Sequence, residues 1–496
     1  MPERLRAPGP RRAQPVAAAP APSPSPSPSP SPSPSPSPWL LLATSFAFII
    51  VQLDVTIVNV VLPRIGTELR AGVSALQWVV DAYTLGFAAF LLSAGTIGDR
   101  LGSRQVFLCG FGLFACASAA CALAPTAAAL NVARALQGIG AALLVPSSLA
   151  ILNMAYAHDG ARLARAIGWW TAGGGISIAA GPLIGSWLAS GFGWRAVFWV
   201  NVPVCLAGFL LTRAIVRPTP RKPTVPAFDV AGQVLAVVTL CALVGGIIGL
   251  QAHGWRDRGA GVCLATALCA GAAFLRVEAR APAPMLPLRL FRHAGFSCAV
   301  AFGVLVNFSY YGVLFVFSFY LQDVRGLSAT HAGMFFLPLT GTFTVSNVLS
   351  GWMTSRTGQR PPMVLGALVA AVGYAWLGMS GIAAAASFLD MLPGLILIPL
   401  GMGLAVPAMT TSILSIGGGQ AGTASAVLNA ARQVGGAVGI AALGAAVADG
   451  AGHDSLHAIR LALFACAALL ALAMLLASCC GTGVSRPRRP PAKNSR

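Results

Sequence analysis

Long runs of apolar residues, separated by short polar segments, follow one another along almost the whole chain. We count fourteen runs, most of them close to the roughly 20 residues that a helix needs to cross the hydrocarbon core of a bilayer. This pattern predicts an all-α polytopic membrane protein. The runs lie at about 39–62, 75–97, 106–124, 127–151, 166–189, 194–212, 229–250, 260–275, 295–320, 329–353, 363–382, 388–413, 423–447 and 458–480.

Positively charged residues indicate how the runs are oriented. An even number of spans places both termini on one side of the membrane, and most of the 32 Lys and Arg lie in the two tails and the even-numbered loops. Because basic loops stay in the cytoplasm, both tails are expected there. The largest basic loops flank runs seven and eight, which predicts an inserted helix pair between two six-helix halves.

The chain is therefore expected to have five segments. Residues 1–38 are rich in Pro, Ala and Arg and end in a Ser-Pro repeat, which favours an extended, disordered chain. The predicted segments are a disordered Ser/Pro-rich cytoplasmic tail (1–38), an N-terminal six-helix half (39–213), a linker with the inserted helix pair (214–293), a C-terminal six-helix half (294–480) and a basic cytoplasmic tail (481–496).

Composition excludes several classes of protein. Hydrophobic residues make up 56% of the chain and charged residues only 9%, against about 25% charge in a soluble globular domain. The net charge of +19 resides mainly in loops and tails, so we expect no nucleic-acid partner. No GxxxxGKS or GxxxxGKT segment indicates ATP as the energy source. No loop carries the cluster of His, Asp or Glu that a membrane enzyme or a metal site would need.

Three charged residues stand out within apolar runs: Asp54 in run one, Asp81 in run two and Arg134 in run four. A charge near the centre of a bilayer costs about 2.5–3.5 kcal/mol, and chains that keep such groups usually use them to move ions or solutes. A carboxyl group inside the membrane can take up and release a proton, so Asp54 and Asp81 are candidate proton carriers and Arg134 a candidate modulator. A structural ion pair between Arg134 and one of the two acids is the alternative.

The segment between runs two and three reads Gly95-Thr-Ile-Gly-Asp99-Arg100-Leu-Gly102-Ser-Arg104 and is interpreted as a loop. Its glycines allow two helix ends to approach closely, and Asp99 can pair with arginines or cap a helix. The segment resembles the signature loop of the major facilitator superfamily, whose pattern is G-x-x-x-D-R-x-G-x-R/K. The resemblance implies that Asp99 and Arg100 help to latch one conformation of an alternating-access cycle.

A degenerate copy of this segment follows run ten. It spans residues 351–360 and keeps two glycines and two arginines at a constant offset, with Ser355 in the place of Asp99. Two halves with matched segments are what a transporter built from an internal repeat should show.

Run four contains Arg134-Ala-Leu-Gln137-Gly138. An arginine facing lipid would be expelled, so Arg134 is expected to face a polar cavity or a carboxylate. The segment matches the R-x-x-Q-G pattern of the same superfamily, and the resemblance implies a role in proton coupling.

Run five is rich in glycine, with Gly173 followed by the stretch Gly181-Pro182-Leu-Ile-Gly185. Small residues four apart allow helices to pack closely, and Pro182 favours a kink because it removes a backbone hydrogen bond. Glycine-rich packing is common in membrane helices. In the fifth span, however, the stretch is similar to the motif that marks the exporter branch of the superfamily, which implies antiport.

Run one reads Leu53-Asp54-Val-Thr56-Ile-Val-Asn59-Val-Val-Leu-Pro63. This stretch resembles the first-span motif of the fourteen-helix drug:proton antiporter family, to which quaternary-ammonium, tetracycline and methylenomycin exporters belong. The resemblance covers roughly residues 39–480. Further segments that look like this family are Gln77-Trp-Val-Val-Asp81-Ala-Tyr83, Trp194-Arg195, Asn201-Val-Pro203 and Asn429-Ala-Ala-Arg432-Gln433 with Gly435-Gly436.

Four residues are expected to line a substrate cavity: Asn59 in run one, Asn307 and Tyr311 in run nine, and Arg432 in run thirteen. Aromatic residues at such spacings are more often packing or lipid-facing residues, which is the alternative for Tyr311. The C-terminal half shows no second deeply placed acid. Selectivity for divalent cationic drugs is therefore not expected, and monovalent, neutral or zwitterionic compounds fit better.

Together these features predict a proton-coupled exporter of small hydrophobic drugs, antibiotics or toxicants, functional as a monomer in a bacterial inner membrane. Its partners are then the substrate, protons and the lipid bilayer. The proton gradient supplies the energy, and neither a cofactor nor a metal is expected. A dedicated exporter of one endogenous metabolite is the alternative within transporters. A receptor or scaffold is the alternative outside them, and it would move no protons when a ligand is added.

Overall fold

Helices make up almost all of the described structure. The computed structural model describes residues 38–156, 160–218, 229–254, 256–282, 284–382, 387–417, 421–444 and 453–479. The tails predicted at 1–38 and 481–496 therefore lie outside the described residues, except for Pro38. Within the described residues the chain forms fourteen long helices: α1 (Pro38–Leu69), α2 (Val73–Leu101), α3 (Ser103–Ala122), α4 (Ala127–Ala155), α5 (Gly160–Phe192), α6 (Asn201–Ile215), α7 (Val230–His253), α8 (Arg258–Arg280), α9 (Ala294–Phe319), α10 (Ala329–Thr357), α11 (Arg360–Trp376), α12 (Phe388–Gly417), α13 (Ala421–Leu443) and α14 (His453–Cys479).

Four shorter helical segments adjoin these helices. The turn Ala196–Trp199 precedes α6, and a 3-10 turn, Leu288–Arg292, precedes α9. Two π-helical turns, Tyr320–Val324 and Leu377–Gly381, continue α9 and α11.

Side-chain oxygens cap the first turns of several helices. Thr126 Oγ1 accepts a hydrogen bond from the Ala129 N–H (3.2 Å) at the start of α4, and Asp257 Oδ2 accepts one from the Ala260 N–H (2.9 Å) at the start of α8. Ser328 caps α10 in the same way. These bonds satisfy N–H groups that have no partner within the helix, which matters most in chains that lipid surrounds.

Thirteen helical segments are long and apolar enough to cross a membrane, and the count rises to fourteen when the bent α5 is taken as one span. The two parts of α5, Ala166–Ile178 and Ala180–Phe192, meet at 42°. The bend lies one turn before Pro182, whose ring crowds the preceding turn and donates no hydrogen bond. The fourteen-span, all-α membrane fold that the hydrophobic pattern predicts is confirmed for the described residues.

The segment from Gly95 to Arg104 is almost entirely helical, so its interpretation as a loop is wrong. Gly102 alone separates α2 from α3. It has a φ of 90°, which glycine adopts at little cost, and its N–H donates to the Gly98 carbonyl oxygen (2.9 Å). The apolar run ends before the helix does, because membrane helices continue beyond the hydrocarbon core.

The copy of this segment ends its helix in the same way. Gly358, with a φ of 83°, follows α10, and its N–H donates to the Thr354 carbonyl oxygen (3.0 Å). The packing of the helices repeats as well, because every main helix pair of the first half recurs eight helices later. The repeated pairs are α1–α4, α1–α5, α1–α6, α2–α4, α3–α4 and α3–α6, matched by α9–α12, α9–α13, α9–α14, α10–α12, α11–α12 and α11–α14.

The two halves meet mainly along two helix pairs, α2 with α13 and α5 with α10, and α1 makes smaller contacts with α9 and α10. The inserted helices α7 and α8 pack against each other, and α7 also packs against α2 and α13. The inserted pair therefore touches both halves, at the edge where α2 and α13 meet.

Among the described residues, the direct hydrogen bonds between the halves lie at one end of the bundle. Ser318 Oγ of α9 donates to the Asn59 carbonyl oxygen of α1 (2.6 Å). Gln77 Nε2, near the start of α2, donates to the carbonyl oxygens of Ile440 and Ala441 near the end of α13 (3.3 and 3.2 Å). We call this end, where α1 finishes and α2 starts, the closed end.

Glycines bring helix backbones into contact inside the first half. A Cβ atom at Gly138 of α4 would lie 2.1 Å from the Tyr83 carbonyl oxygen of α2. A Cβ atom at Gly181 of α5 would lie 2.0 Å from Thr56 Oγ1 of α1, and Gly185 meets the α1 backbone one turn further on. No larger side chain fits these positions without moving a helix.

The second half repeats the contact between its first and fifth helices. Gly435 and Gly439 of α13 are four residues apart, like the α5 pair. Cβ atoms at these positions would lie 2.4 Å from the Val304 carbonyl oxygen and 2.2 Å from the Phe308 carbonyl oxygen of α9. Both halves are therefore built on a glycine-lined helix crossing.

We predict that Gly138→Ala destabilises the protein by about 1–3 kcal/mol, because the added methyl group must push α4 away from α2. The matched control is Gly112→Ala in α3, where a Cβ atom would meet nothing within 4 Å. That change should be neutral or stabilise by up to about 1 kcal/mol through helix propensity. Unfolding in mixed detergent micelles measures both changes. Equal stability of the two variants would contradict the tight crossing.

Candidate functional site

Side chains from α1, α3, α4 and α6 meet in a polar cluster inside the first half. At most 1% of each side chain is exposed. Buried polar groups are costly unless they are paired, so their hydrogen bonds decide what the cluster can do. The members of this cluster, which we call the Asp54 network, are Asp54, Ser118, Arg134, Gln137 and Asn201.

Both carboxylate oxygens of Asp54 accept hydrogen bonds. Arg134 Nη1 forms an ion pair with Asp54 Oδ2. Gln137 Nε2 and Asn201 Nδ2 each donate to Asp54 Oδ1 at 2.8 Å. Three N–H donors from two helices therefore surround one acid of α1.

The Arg134 guanidinium is held from several sides. Its Nε donates to the Val79 carbonyl oxygen of α2 (2.9 Å), and its Nη1 also donates to Gln137 Oε1 (2.7 Å). Its Cζ lies 4.3 Å from the centroid of the Tyr83 ring, a cation–π contact. The expectation that Arg134 faces a carboxylate or a polar cavity is confirmed, because it faces Asp54.

Ser118 and Asn201 complete the network, and the sequence did not identify them as site residues. Ser118 Oγ accepts hydrogen bonds from Asn201 Nδ2 (2.9 Å) and Gln137 Nε2 (3.2 Å), and it donates to the Phe198 carbonyl oxygen (2.9 Å). Asn201 lies in one of the family-like segments, and that position was its only signal. A single serine in an alanine-rich helix carries no signal.

Asp81, the second acid, lies apart from the Asp54 network. It is fully buried in α2, and neither carboxylate oxygen accepts a hydrogen bond from a described residue. Leu85, one turn further on, shares its helix face and packs in a cluster with Val244 of α7 and Ala437 of α13. Asp81 therefore lies on the side of α2 that meets the inserted pair and the second half.

Three of the four predicted cavity residues lie between α9 and α13. The side chain of Arg432 packs against Gly303, one turn before Asn307, and its Nη1 contacts Asn429 Oδ1 at 3.5 Å. Tyr311, one turn after Asn307, faces Gly436 of α13. These three residues therefore share the α9–α13 interface, and their role in substrate binding stays a prediction.

Asn59 is separate from that group. Its Nδ2 donates to the Val55 carbonyl oxygen (2.8 Å), and its own carbonyl oxygen takes part in the closed end. The structure thus gives Asn59 a contact with the second half, and its predicted place in the cavity stays untested.

The remaining motif residues lie at helix crossings and helix ends. A Cβ atom added at Gly173 of α5 would lie 3.3 Å from the side chain of Ile49 on α1. Arg104 Nη2 donates to the Arg213 carbonyl oxygen at the end of α6 (3.0 Å). Asp99 and Arg100 occupy the last turn of α2. The latch role and the antiport role stay predictions.

Comparison with known proteins gives these residues a family context. The family model described as Major Facilitator Superfamily matches residues 44–440. The tetracenomycin C resistance and export protein of Streptomyces glaucescens is 39% identical over 83% of this chain and 76% of its own length. The multidrug resistance protein Stp of Mycobacterium tuberculosis is 36% identical over 82% of this chain and 75% of its own length.

A third relative, the methylenomycin A resistance protein of Streptomyces coelicolor, is 36% identical over 81% of this chain and 84% of its own length. The matched family is one of membrane transporters rather than enzymes, and its match includes every residue of the Asp54 network. With its membrane-spanning helices and repeated halves, this chain is a multi-pass membrane transporter and belongs to the Major Facilitator Superfamily.

Proposed function

We propose that the protein is a proton-coupled antiporter that exports small, largely hydrophobic drugs or antibiotics. The observation that carries the proposal is the buried ion pair between Asp54 and Arg134. Desolvating each ion costs several kcal/mol, and apolar residues of similar volume often stabilise a protein as well as a buried pair does. A charge pair kept inside a membrane bundle therefore points to a functional use, and proton exchange is the chemistry that an acid in this place offers.

The two buried acids differ in their surroundings, and the proposal gives them different roles. Asp54 faces a guanidinium and two amide N–H groups, so its charge is compensated in this conformation. Asp81 has no hydrogen-bond donor among the described residues, and a carboxyl group without a partner is far less costly neutral than ionised. We assign the proton to Asp81 in the conformation seen here and the negative charge to Asp54.

Coupling to conformation runs through α1. Protonation of Asp54 would remove the charge that holds Arg134 and weaken the link from α1 to α4 and α6. Five residues further along α1, the Asn59 carbonyl oxygen accepts the hydrogen bond from Ser318 at the closed end. A proton on Asp54 and a substrate in the cavity can thereby bias the same two conformations in opposite directions, which is sufficient for exchange.

Orientation follows from the charge of the loops. With both tails in the cytoplasm of a bacterial cell, the closed end faces outwards, and the conformation described here excludes substrate from the outer side. Substrates then enter from the cytoplasm or the inner leaflet, as an exporter requires. We place the protein in the inner membrane as a monomer.

The substrate class rests on the relatives and on the second half. Two relatives are named for resistance to tetracenomycin C and methylenomycin A. The acids of α9 to α14 whose side chains are described, Asp323 and Asp390, are both exposed, whereas Arg432 lies at the α9–α13 interface. This charge distribution supports neutral, zwitterionic or monovalent compounds rather than divalent cations.

The proton gradient is sufficient to drive such export. One pH unit supplies about 1.4 kcal/mol per proton, and a potential of 100 mV adds about 2.3 kcal/mol per charge. Together they supply about 3.7 kcal/mol per proton, enough to sustain a gradient of about five hundredfold in a neutral compound at one proton per cycle.

We predict that Asp54→Asn abolishes gradient-driven export, with a loss of about tenfold or more, because the amide cannot carry a proton or pair with Arg134. Purified protein in vesicles with an imposed pH gradient and a panel of antibiotics measures this loss. Exchange of substrate between the two sides without a gradient should continue, which separates loss of coupling from loss of folding. A panel in which one compound alone is moved would favour the dedicated exporter.

The matched control for Asp54→Asn is Asp390→Asn. Asp390 is exposed at the start of α12, where Asn can also accept the hydrogen bond from the Ser387 N–H. This variant should export like the unchanged protein. Gradient-driven export by Asp54→Asn at the level of this control would refute the proposal.

We predict opposite effects on stability for the two acids. Asn mimics a neutral carboxyl group, so Asp81→Asn should leave the melting temperature unchanged or raise it. Asp54→Asn should lower it, because the buried Arg134 charge loses its partner, a change that typically costs about 3–5 kcal/mol. Thermal unfolding in detergent at neutral pH compares the two variants. A large loss of stability in Asp81→Asn would show that Asp81 is ionised and paired.

A further inference from the structure

The inserted helix pair has hydrogen bonds to the first half near both ends of α7. Near the start of α7, Gln233 Nε2 donates to the Ala89 carbonyl oxygen of α2 (3.0 Å), and Gln233 Oε1 accepts a hydrogen bond from Ser93 Oγ (2.5 Å). Both Gln233 and Ser93 are buried. This joint lies away from the closed end, in the C-terminal part of α2.

A second joint lies at the closed end, near the end of α7. Gln251 Nε2 donates to the Ala442 carbonyl oxygen of α13 (2.9 Å), and Gln251 Oε1 lies 3.4 Å from Gln77 Nε2 of α2. Gln77 itself donates to the two preceding carbonyl oxygens of α13, as described above. We call Gln77 and Gln251 the glutamine clasp.

The clasp acts on groups that α13 cannot satisfy by itself. The last carbonyl oxygens of a helix have no N–H partner within it, and α13 ends at Leu443. The two amides supply donors to the carbonyl oxygens of residues 440–442. A Cβ atom at Gly444 would lie 1.8 Å from Gln77 Nε2, so the absence of a side chain there gives the amide its access.

Packing between the joints binds α7 more firmly to α2 than to α13. On α2, the Trp78 ring packs against Gly245 of α7, and Leu85 packs in one cluster with Val244 and Ile248. The buried residues that α13 contributes to this cluster are alanines, which offer little area. Away from the clasp, no hydrogen bond joins α7 to α13 among the described residues.

We infer that the inserted pair moves with the first half and that Gln251 is an outer-gate residue, which closes the transporter by capping the end of α13. The inference rests on the proposed transport cycle. When the closed end opens, the bonds from the clasp to α13 must break, whereas the Gln233 joint and the Trp78 contact stay intact. The inserted pair thus serves as an arm of the first half that grips the second half in one conformation.

Distances between spin labels test which half the arm follows. In a background without the eleven native cysteines, one label is placed at Val262 of α8, near the closed end. The second is placed at Leu123 after α3 or at Met379 after α11, and all three positions are at least 65% exposed. We expect one unchanged Val262–Leu123 distance in lipid discs from acidic to alkaline pH, with and without an exported antibiotic. The Val262–Met379 distance should have two populations whose ratio changes with these conditions.

Two glutamine variants give the matched comparison. Gln251→Ala removes a bond that opening must break, so the population with the longer Val262–Met379 distance should grow about fivefold relative to the shorter one, the factor that one hydrogen bond of typical net strength supplies. Gln233→Ala removes a bond of the same chemistry within one moving body. It should leave the population ratio unchanged.

The outcomes distinguish this inference from the proposed function. A Val262–Leu123 distance that changes while Val262–Met379 stays fixed would show that the arm follows the second half, and two fixed distances would show that the closed end does not open; either result overturns the inference. An equal response to Gln251→Ala and Gln233→Ala would remove Gln251 from the gate. If gradient-driven export fails while the label distances change as expected, antiport is refuted, but the inference that the inserted pair moves with the first half stands.

Discussion

The ion pair between Asp54 and Arg134 constrains how the helices of the first half pack. Without water to screen or solvate them, neither charge is tolerable alone, so α1 and α4 have to lie where the two side chains meet. The second carboxylate oxygen of Asp54 accepts hydrogen bonds from the amides of Gln137 and Asn201. The Asn201 amide also donates to the hydroxyl oxygen of Ser118. The arrangement of four helices thus follows from the solvation of one carboxylate.

Much of this architecture is readable from the sequence, because lipid imposes simple rules on it. The length of each apolar run predicts a membrane-spanning helix. The free-energy cost of burying a guanidinium group in the membrane requires a partner for Arg134. Which acid becomes that partner is not readable. Asp54 and Asp81 both lie inside apolar runs, and only the rotation of each helix in the bundle brings one to Arg134 and turns the other towards α7 and α13.

Other features escaped sequence reasoning for different physical reasons. The stretch from Gly95 to Arg104 is polar and rich in glycine, yet it continues both helices, because a single left-handed residue, Gly102, is enough for the turn. Ser118 contributes through one hydroxyl that no spacing rule marks. The two halves repeat the order in which their helices pack but not the chemistry of their interiors. The second half has the same helix crossings as the first. A small cavity in the second half is lined by apolar and aromatic side chains such as Tyr310, Phe317, Phe336 and Tyr374.

The glycine crossings have a mechanical consequence. Where a carbonyl oxygen fills the space of a missing side chain, as at Gly138 and Gly439, neighbouring helices interlock and resist shear. Each six-helix half is then rigid internally, and movement is concentrated at the interface between the two halves. In the proposed cycle, a proton taken up or released at Asp54 would therefore be transmitted across the membrane as a tilt of one half against the other.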